Sequence, residues 1–232
     1  MTAGMWTGRA TWALALAAAL VLGACSEKGE TDIVKVGRIA FEAYFPDEPA
    51  PRTELTRAQL DQIPSAVLAL SFDELPRVFI VPLARNGDYL TYMDSQRRGF
   101  VMHDGAVTGT LGIGFDLDAV KAAGNDPVFH QTPLADWPGQ VNRSYQYQVR
   151  DGAGYVISLT CTYQKVARER IEIIEQFYDV VRIAETCTNS ARQVTNLYWV
   201  DDETGFIWRS VQWVSPKQPQ LTIEVVRPFL DG

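Results

Sequence analysis

In the last third of the chain, apolar and polar residues alternate with a period of two, which is the pattern of half-buried β-strands. Turn-forming residues separate these segments, for example the Asp-Glu-Thr-Gly stretch at 202–205. Strands are predicted at residues 143–149, 154–165, 168–175, 177–185, 193–200, 206–214 and 220–226. Short strands separated by turns indicate a mainly β fold, an antiparallel β-sandwich or incomplete barrel with a few short helices.

The same period extends back into the middle of the chain. Strands are predicted there at residues 65–71, 77–84, 88–93, 100–102 and 106–111. Pro82, near the end of its segment, indicates an edge strand or the end of the strand. Asn86-Gly87 and Asp104-Gly105 are typical hairpin turns. Helices are predicted at residues 31–45, 56–62 and 116–123, the last two capped by Thr56 and Asp116, and an irregular connection at 125–139.

The first 24 residues have the features of a targeting segment. Arg9 supplies a positive charge, and residues 10–24 carry none. That run is shorter than the roughly 20 residues that span a bilayer, so we interpret residues 1–24 as a signal peptide. It ends in Leu-Gly-Ala-Cys at 22–25, which resembles the lipobox of bacterial lipoproteins, with Cys25 as the lipidated residue. The alternatives are an ordinary signal peptide, or a short buried helix, with a chance cysteine.

Lipid on Cys25 would anchor the mature chain to a membrane, because two acyl chains suffice for stable anchoring. Ser26, and not aspartate, follows the cysteine. By resemblance to Gram-negative lipoproteins, this implies the outer membrane, with the protein facing the periplasm. Residues 25–31 are predicted to be a polar tether, and residues 32–232 a single mainly-β domain with N-terminal helices.

The charge of the chain narrows the choice of partners. The formal net charge is −7 at pH 7. It becomes −8 in the mature chain, because the only charged residue in the segment that is removed is Arg9. An acidic balance argues against nucleic acid as a partner and against electrostatic adhesion to anionic lipid. The membrane is therefore expected as a partner only through the lipid on Cys25.

The remaining cysteines, Cys161 and Cys187, are predicted to form a disulfide. A pair left over in an oxidising compartment is usually bonded. Cys187 shares its strand parity with Val181 and Ile183, and Cys161 likewise alternates with polar residues, so both thiols face the apolar side. However, a separate strand at 168–175 would hold the cysteine strands about 9.6 Å apart, beyond the bridging limit of about 7 Å. Two free buried thiols are the alternative.

The sequence contains no recognisable catalytic motif. The glycines at 109–114 lack the lysine of a phosphate-binding loop and are interpreted as easing a curved strand into a helix. The only histidines are His103 and His130, and a zinc site would require the fold to bring both together with carboxylates. The acidic residues at 201–203 lack the ligand spacing of a calcium loop, and a hairpin is preferred. We predict no catalytic residue, no metal and no cofactor.

Aromatic side chains are concentrated near the last predicted hairpin: Tyr198, Trp199, Trp208 and Trp213. Rows of aromatic rings can stack on sugars, which makes these residues candidates for contact with a glycan or a protein partner. Aromatic side chains also fill the cores of sheet proteins, and this second interpretation is preferred. The hairpin is expected to turn at 201–205 with Trp199 and Trp208 mostly buried.

Taken together, these segments resemble the YjbF/GfcB family of lipoproteins. The resemblance rests on four features: the lipobox at Cys25, Val-Thr-Gly-Thr-Leu-Gly-Ile-Gly-Phe-Asp-Leu at 107–117, Glu185-x-Cys187, and Asn-Leu-Tyr-Trp-Val-Asp at 196–201 followed by Thr204-Gly205 and Arg209-Ser210-x-Gln212. It covers most of the mature chain. The family is associated with production or secretion of group 4 capsule and related exopolysaccharides, so the resemblance implies a process and no particular reaction.

The sequence thus predicts a lipid-anchored outer-membrane protein that assists polysaccharide assembly or export without catalysing a reaction. Export machinery or a glycan is its possible partner. Two alternatives remain open: a periplasmic carrier that binds a lipid or glycan in a curved sheet, and a periplasmic glycan-active enzyme. A large apolar concavity would favour the carrier, and two carboxylates about 5–10 Å apart in a groove would favour the enzyme.

Overall fold

The computed structural model describes residues 55–73, 76–149 and 152–229. All of them lie in the second of the two units into which the chain divides, Glu54–Gly232. The predicted signal peptide at 1–24, the lipidated Cys25, the tether at 25–31 and the predicted helix at 31–45 fall outside the described residues. Among the described residues, no helix is both long enough and apolar enough to cross a membrane.

Most described residues lie in strands. One short helix, α1 (Arg57–Leu60), precedes them, and Thr56 caps it as predicted. The strands are β1 (Val67–Phe72), β2 (Val78–Asn86), β3 (Tyr89–Met93), β4 (Gly99–His103), β5 (Ala106–Leu111), β6 (Leu117–Ala122), β7 (Gln140–Val149), β8 (Gly152–Ile173), β9 (Gln176–Asn189), β10 (Arg192–Val200), β11 (Ile207–Gln212) and β12 (Leu221–Arg227). A 3-10 helix, Leu134–Asp136, interrupts the connection between β6 and β7.

These strands form one antiparallel sheet in the order β5-β4-β3-β2-β1-β12-β11-β10-β9-β8-β7-β6. Strands that follow each other in sequence pair with each other, except β5 and β6, and the pairing of β1 with β12 joins the first strand to the last. The sheet curls until β5 and β6, its two edges, lie next to each other. There the Thr110 hydroxyl accepts a hydrogen bond from the Leu117 amide at 2.8 Å. The predicted mainly β class is confirmed, in the form of a nearly closed, barrel-like sheet.

The predicted helix at 116–123 is wrong, because this segment is strand β6. Asp116 does cap a turn, but the turn joins two strands. Its carboxylate accepts hydrogen bonds from the amides of Gly112 at 2.9 Å and Ile113 at 3.0 Å. Gly112 and Gly114 adopt positive φ angles of 78° and 98° in the same turn. The glycines therefore allow the chain to reverse from β5 to β6, and no helix follows them.

The predicted separation of residues 154–165 from 168–175 is also wrong. Both segments belong to one continuous strand, β8, which bulges between Lys165 and Ala167 and pairs along its length with β9. The hairpin turns at Ile174 and Glu175, which adopt positive φ angles of 43° and 59°. Since β8 and β9 are direct neighbours, no strand lies between the two cysteines.

The prediction that Pro82 lies on an edge strand or at the end of its strand is also incorrect. Strand β2 lies between β1 and β3, and it continues to Asn86. The pairing of β2 with β1 covers only Val78 to Ile80, so Pro82 lies beyond the part of β2 that bonds to β1. On the β3 side, the register shifts between Pro82 and Ala84. The bulge thus accommodates a residue that has no amide proton.

Both faces of the sheet are covered with apolar side chains. On β1, Leu68 and Leu70 belong to one of two cores on the concave face, while Val67 and Ala69 belong to a third core on the convex face. Helix α1 and the tip of the β8–β9 hairpin cover that convex core. Arg57 of α1 fixes this layer by donating to the carbonyl oxygen of Ile173 at 2.9 Å. The β8–β9 tip thus forms a second layer on part of the sheet.

Candidate functional site

The two cysteines lie opposite each other on β8 and β9 and form a disulfide. Cys161 and Cys187 are partners in the strand register, with their Cα atoms 3.9 Å apart. Both are fully buried in the core of the concave face, as their strand parity predicted. The argument that the two cysteine strands lie too far apart for a disulfide is wrong, because β8 and β9 pair directly and no strand lies between them.

Next to the disulfide lies a cluster of buried charges on the concave face, which the sequence analysis missed. Arg143 of β7 donates to the Asp126 carboxylate at 2.8 Å and to the Glu185 carboxylate at 2.9 Å. Arg143 is 4% exposed, and both carboxylates are fully buried. Asn196 and Tyr198 donate to the second oxygen of Glu185, at 2.6 and 3.0 Å. We call Arg143, Asp126 and Glu185 the buried charge cluster.

The electrostatics of this cluster follow from its burial. Two carboxyl groups share one guanidinium, so ionisation of both would leave the cluster with a net negative charge. Burial raises the pKa of Asp126; Arg143 opposes the shift, and Glu185 adds to it. Burial also raises the pKa of Tyr198 well above its usual value, which keeps the phenol neutral and able to donate. Because the cluster is enclosed and hydrogen-bonded throughout, we assign it a structural role.

The four aromatic candidates do not share one surface. Tyr198 and Trp213 are buried in the core of the concave face, where the ring of Trp213 meets that of Tyr145 edge-on at 5.1 Å. Trp199, 9% exposed, lies in the convex core. Trp208 is half-buried and stacks on Tyr178 with 3.8 Å between ring centroids. The rings therefore fill cores on both faces and form no continuous sugar-stacking platform.

The predicted aromatic hairpin is present. Strands β10 and β11 pair and are joined by a turn that starts at Asp201. The Asp201 carboxylate accepts hydrogen bonds from the amide and the hydroxyl of Thr204, at 2.8 and 2.7 Å. Gly205 closes the turn with a φ angle of 76°. Asp201 thus stabilises the hairpin, which agrees with the preference for a turn over a calcium loop.

A cavity of about 330 Å³ opens near the β4–β5 turn. Its apolar wall includes Leu68, Tyr92, Met102 and Ile223, all of which are buried. Exposed polar side chains also line it: Arg85, Asp88, Asp104 and His130. Its volume lies at the lower end of the range of small-molecule sites. The cavity can therefore hold a small group with one apolar and one polar side.

The fold brings His103 and His130 together at this cavity, although no sequence pattern predicts their proximity. Their ring centroids lie 5.5 Å apart and the rings meet edge-on. The connection between β6 and β7 carries His130 and docks on the β4–β5 turn, where the Gly105 amide donates to the Val128 carbonyl oxygen at 3.1 Å. Long-range contacts of this kind bring the two histidines together, and no local pattern in the sequence encodes them.

These observations define the class of protein: a disulfide-bonded, antiparallel, barrel-like sheet domain with a lined cavity near one hairpin turn. The chain belongs to the family described as group 4 capsule polysaccharide lipoprotein GfcB, YjbF, whose model matches residues 31–226. The resemblance noted in the sequence is thereby confirmed.

A solved structure agrees with the fold. The crystal structure of the hypothetical lipoprotein YmcC from Escherichia coli K12 is similar, with a TM-score of 0.63 and 17% sequence identity. The similarity covers 87% of this chain and 98% of that chain. At this identity the likeness supports the fold alone. No curated protein matches the sequence.

Proposed function

We propose that this protein is a lipoprotein of the outer membrane that faces the periplasm, is anchored through Cys25, and assists capsule or exopolysaccharide assembly or secretion without catalysing a reaction. Membership of the capsule polysaccharide lipoprotein family carries this proposal. The lipobox ending at Cys25 supports the anchor, and Ser26 supports the outer membrane. The buried disulfide between Cys161 and Cys187 suits a compartment outside the reducing cytoplasm.

The burial of the charge cluster also supports a non-catalytic role. The buried charge cluster is enclosed and hydrogen-bonded within the fold. A buried, satisfied cluster contributes to the fold and offers no group to a substrate. We therefore propose that the protein acts through binding, as an accessory part of an export assembly.

Deletion of the gene tests this function. We expect the deletion strain to lose exported polysaccharide, measured as surface-bound and secreted polymer, and the intact gene to restore it. Unchanged polysaccharide in the deletion strain would contradict the proposal. Incubation of the purified protein with the isolated polysaccharide tests the non-catalytic part. A change in polymer length or modification would support a glycan-active enzyme instead.

The cavity favours a second candidate function, that of a carrier for a lipid or a glycan. Its wall is apolar at Leu68 and Met102 and polar at Arg85 and Asp88, as a site for an amphipathic group requires. Leu90→Trp would fill the cavity from its half-buried wall. Leu83→Trp is the matched control, because Leu83 is 65% exposed and does not line the cavity. Loss of oligosaccharide or lipid-probe binding in the first variant alone supports the carrier.

A further inference from the structure

A group of potential metal ligands lies at the β4–β5 turn. His103, Asp104 and His130 each offer a ligand atom, and these three atoms all lie within 4.8 Å of one another. All three residues also line the cavity. His103 ends β4, Asp104 follows it in the turn, and His130 comes from the connection between β6 and β7. Two distant parts of the chain thus supply a mixed set of imidazole and carboxylate ligands.

The surroundings of His103 point to an occupant. Its Nδ1 atom is buried and, among the described residues, is the only buried side-chain nitrogen or oxygen that lacks a hydrogen-bond partner. A buried polar atom without a partner is unfavourable, because folding removes its hydrogen bonds to water and no hydrogen bond within the protein replaces them. The rings of Tyr89 and Phe129 pack against this imidazole at 4.7 and 5.8 Å between centroids and hold it in place. Coordination to a metal would satisfy a ring nitrogen in such a setting.

We propose that His103, Asp104 and His130 bind a divalent transition-metal ion, with Zn²⁺ as the ion that the ligands suit best. Two imidazoles and one carboxylate favour zinc and its neighbours over Mg²⁺ or Ca²⁺, which prefer oxygen ligands. Tetrahedral zinc with bonds of about 2.0–2.1 Å places its ligand atoms about 3.3 Å apart. The three ligand atoms, which lie within 4.8 Å of one another, therefore have to move closer together to bind zinc. His130 is exposed, so its side chain can rotate toward the other two.

The backbone already orients the carboxylate. Asp104 adopts a positive φ angle of 47° in the turn. One of its carboxylate oxygens accepts a hydrogen bond from the Gln131 amide at 3.3 Å, which links the turn to the segment that carries His130. Outer hydrogen bonds of this kind orient metal ligands. Three protein ligands would leave a fourth position open toward the cavity, for water or for a polar group of a bound molecule.

Direct metal binding tests the proposal. The full-length protein, purified in detergent without a polyhistidine tag, is stripped with chelator and titrated with Zn²⁺ by calorimetry, with bound metal counted by elemental analysis. Because the sequence contains only two histidines, any imidazole-dependent binding must come from these residues. We expect one Zn²⁺ per chain, a higher Tm with zinc, and a Co²⁺ spectrum typical of four-coordinate nitrogen and oxygen ligands.

His130→Ala and Asp104→Asn should each weaken Zn²⁺ binding by about tenfold or more. Asn tolerates the positive φ angle at 104 and can still accept from Gln131, so this variant removes the charge and preserves the turn. Asp61→Asn is the control, because it removes an exposed carboxylate at the end of α1 outside the cavity. Absence of saturable binding by the intact protein, or equal affinity in folded His130→Ala and the intact protein, would overturn the proposal. Neither result depends on polysaccharide export.

Discussion

Tyr198 and Trp199 are neighbours on β10, and their rings lie on opposite faces of the sheet. The Tyr198 hydroxyl donates to Glu185 at 3.0 Å on the concave face. The Trp199 indole donates to Glu169 on the convex face, under the layer formed by α1 and the β8–β9 tip. Each ring therefore fills a different core, and the two rings contribute separately to stability.

Trp199→Ala is expected to destabilise the protein by about 3–5 kcal/mol, mainly because it leaves a cavity in the convex core. Trp208→Ala should cost less, because Trp208 is only half-buried, although it loses its stacking on Tyr178. Urea denaturation measures both. Phe177→Ala is the control, since Phe177 is 56% exposed. Normal stability of Trp199→Ala together with lost glycan binding would contradict the structural role and make the hairpin the functional site.

Replacement of both Cys161 and Cys187 by alanine should lower the free energy of unfolding by about 2–4 kcal/mol. The bond closes a loop between residues 26 positions apart and thereby restricts the unfolded chain. Urea denaturation of the double variant measures the loss, and addition of reductant to the intact protein should produce a similar one. Thiol titration of the unfolded, unreduced protein is the independent check. Reaction at these two cysteines would show that the bond is not formed.

The sequence predicted the parity of strands better than their connections. Alternation placed Cys161 and Cys187 on the apolar face, because side-chain direction depends only on neighbouring residues. Alternation could not show that 154–165 and 168–175 form one strand, since a bulge interrupts the period there. The helix predicted after Asp116 is wrong because a carboxylate that caps a helix and one that caps a turn have the same local pattern.

The buried charge cluster and the histidine pair could not be predicted in this way. Arg143 and Glu185 are 42 positions apart, and Asp126 lies in a connection without periodicity. In the sequence, each looks like an ordinary exposed charge. Their proximity depends on how β7 and β9 flank β8 and on where the connection after β6 docks. Contacts of this kind are properties of the closed sheet and have no local sequence pattern.

Arg143→Leu should strongly destabilise the protein, because it leaves the carboxylates of Asp126 and Glu185 buried without a counter-charge. Breaking a buried ion pair from one side costs about 3–5 kcal/mol. Arg170→Leu is the matched control: its pair with Asp179 is also close, at 2.7 Å, but both side chains are mostly exposed. Such surface pairs contribute little. Equal urea midpoints for the two variants would show that the buried charge cluster contributes no more to stability than an exposed ion pair.

Asp126→Asn should show how the cluster responds to pH. Because burial raises the folded-state pKa of Asp126, its stabilising contribution is complete below the unfolded pKa of about 3.9 and is lost as pH rises through the folded value. Asparagine does not ionise. The stability of the variant relative to the intact protein should therefore increase as pH rises above about 4, as measured by urea denaturation.

Asp179→Asn is the control for this pH dependence of the stability difference. The hydrogen bond from Arg170 lowers the pKa of the exposed Asp179, so the intact protein gains stability there as pH rises. That gain is complete above the unfolded pKa of about 3.9, so the relative stability of this variant should stay almost flat from there upward. A falling or flat difference for Asp126→Asn would show that Arg143 outweighs burial at that carboxyl group.

Cys25→Ser tests the anchor that the proposed function requires. Serine cannot accept the lipid through a thiol, so the variant should either leave the membrane fraction or accumulate as an uncut precursor. The physical reason is that stable attachment requires at least two acyl chains, and nothing in the acidic mature chain replaces them by charge attraction to anionic lipid. Membrane fractionation with immunoblotting measures both outcomes.

The Cys161→Ala/Cys187→Ala variant is the control, since it loses cysteines but should keep the lipid and stay in the outer membrane. A Cys25→Ser protein that is cleaved and still fractionates with the outer membrane would mean that another feature of the chain holds it there.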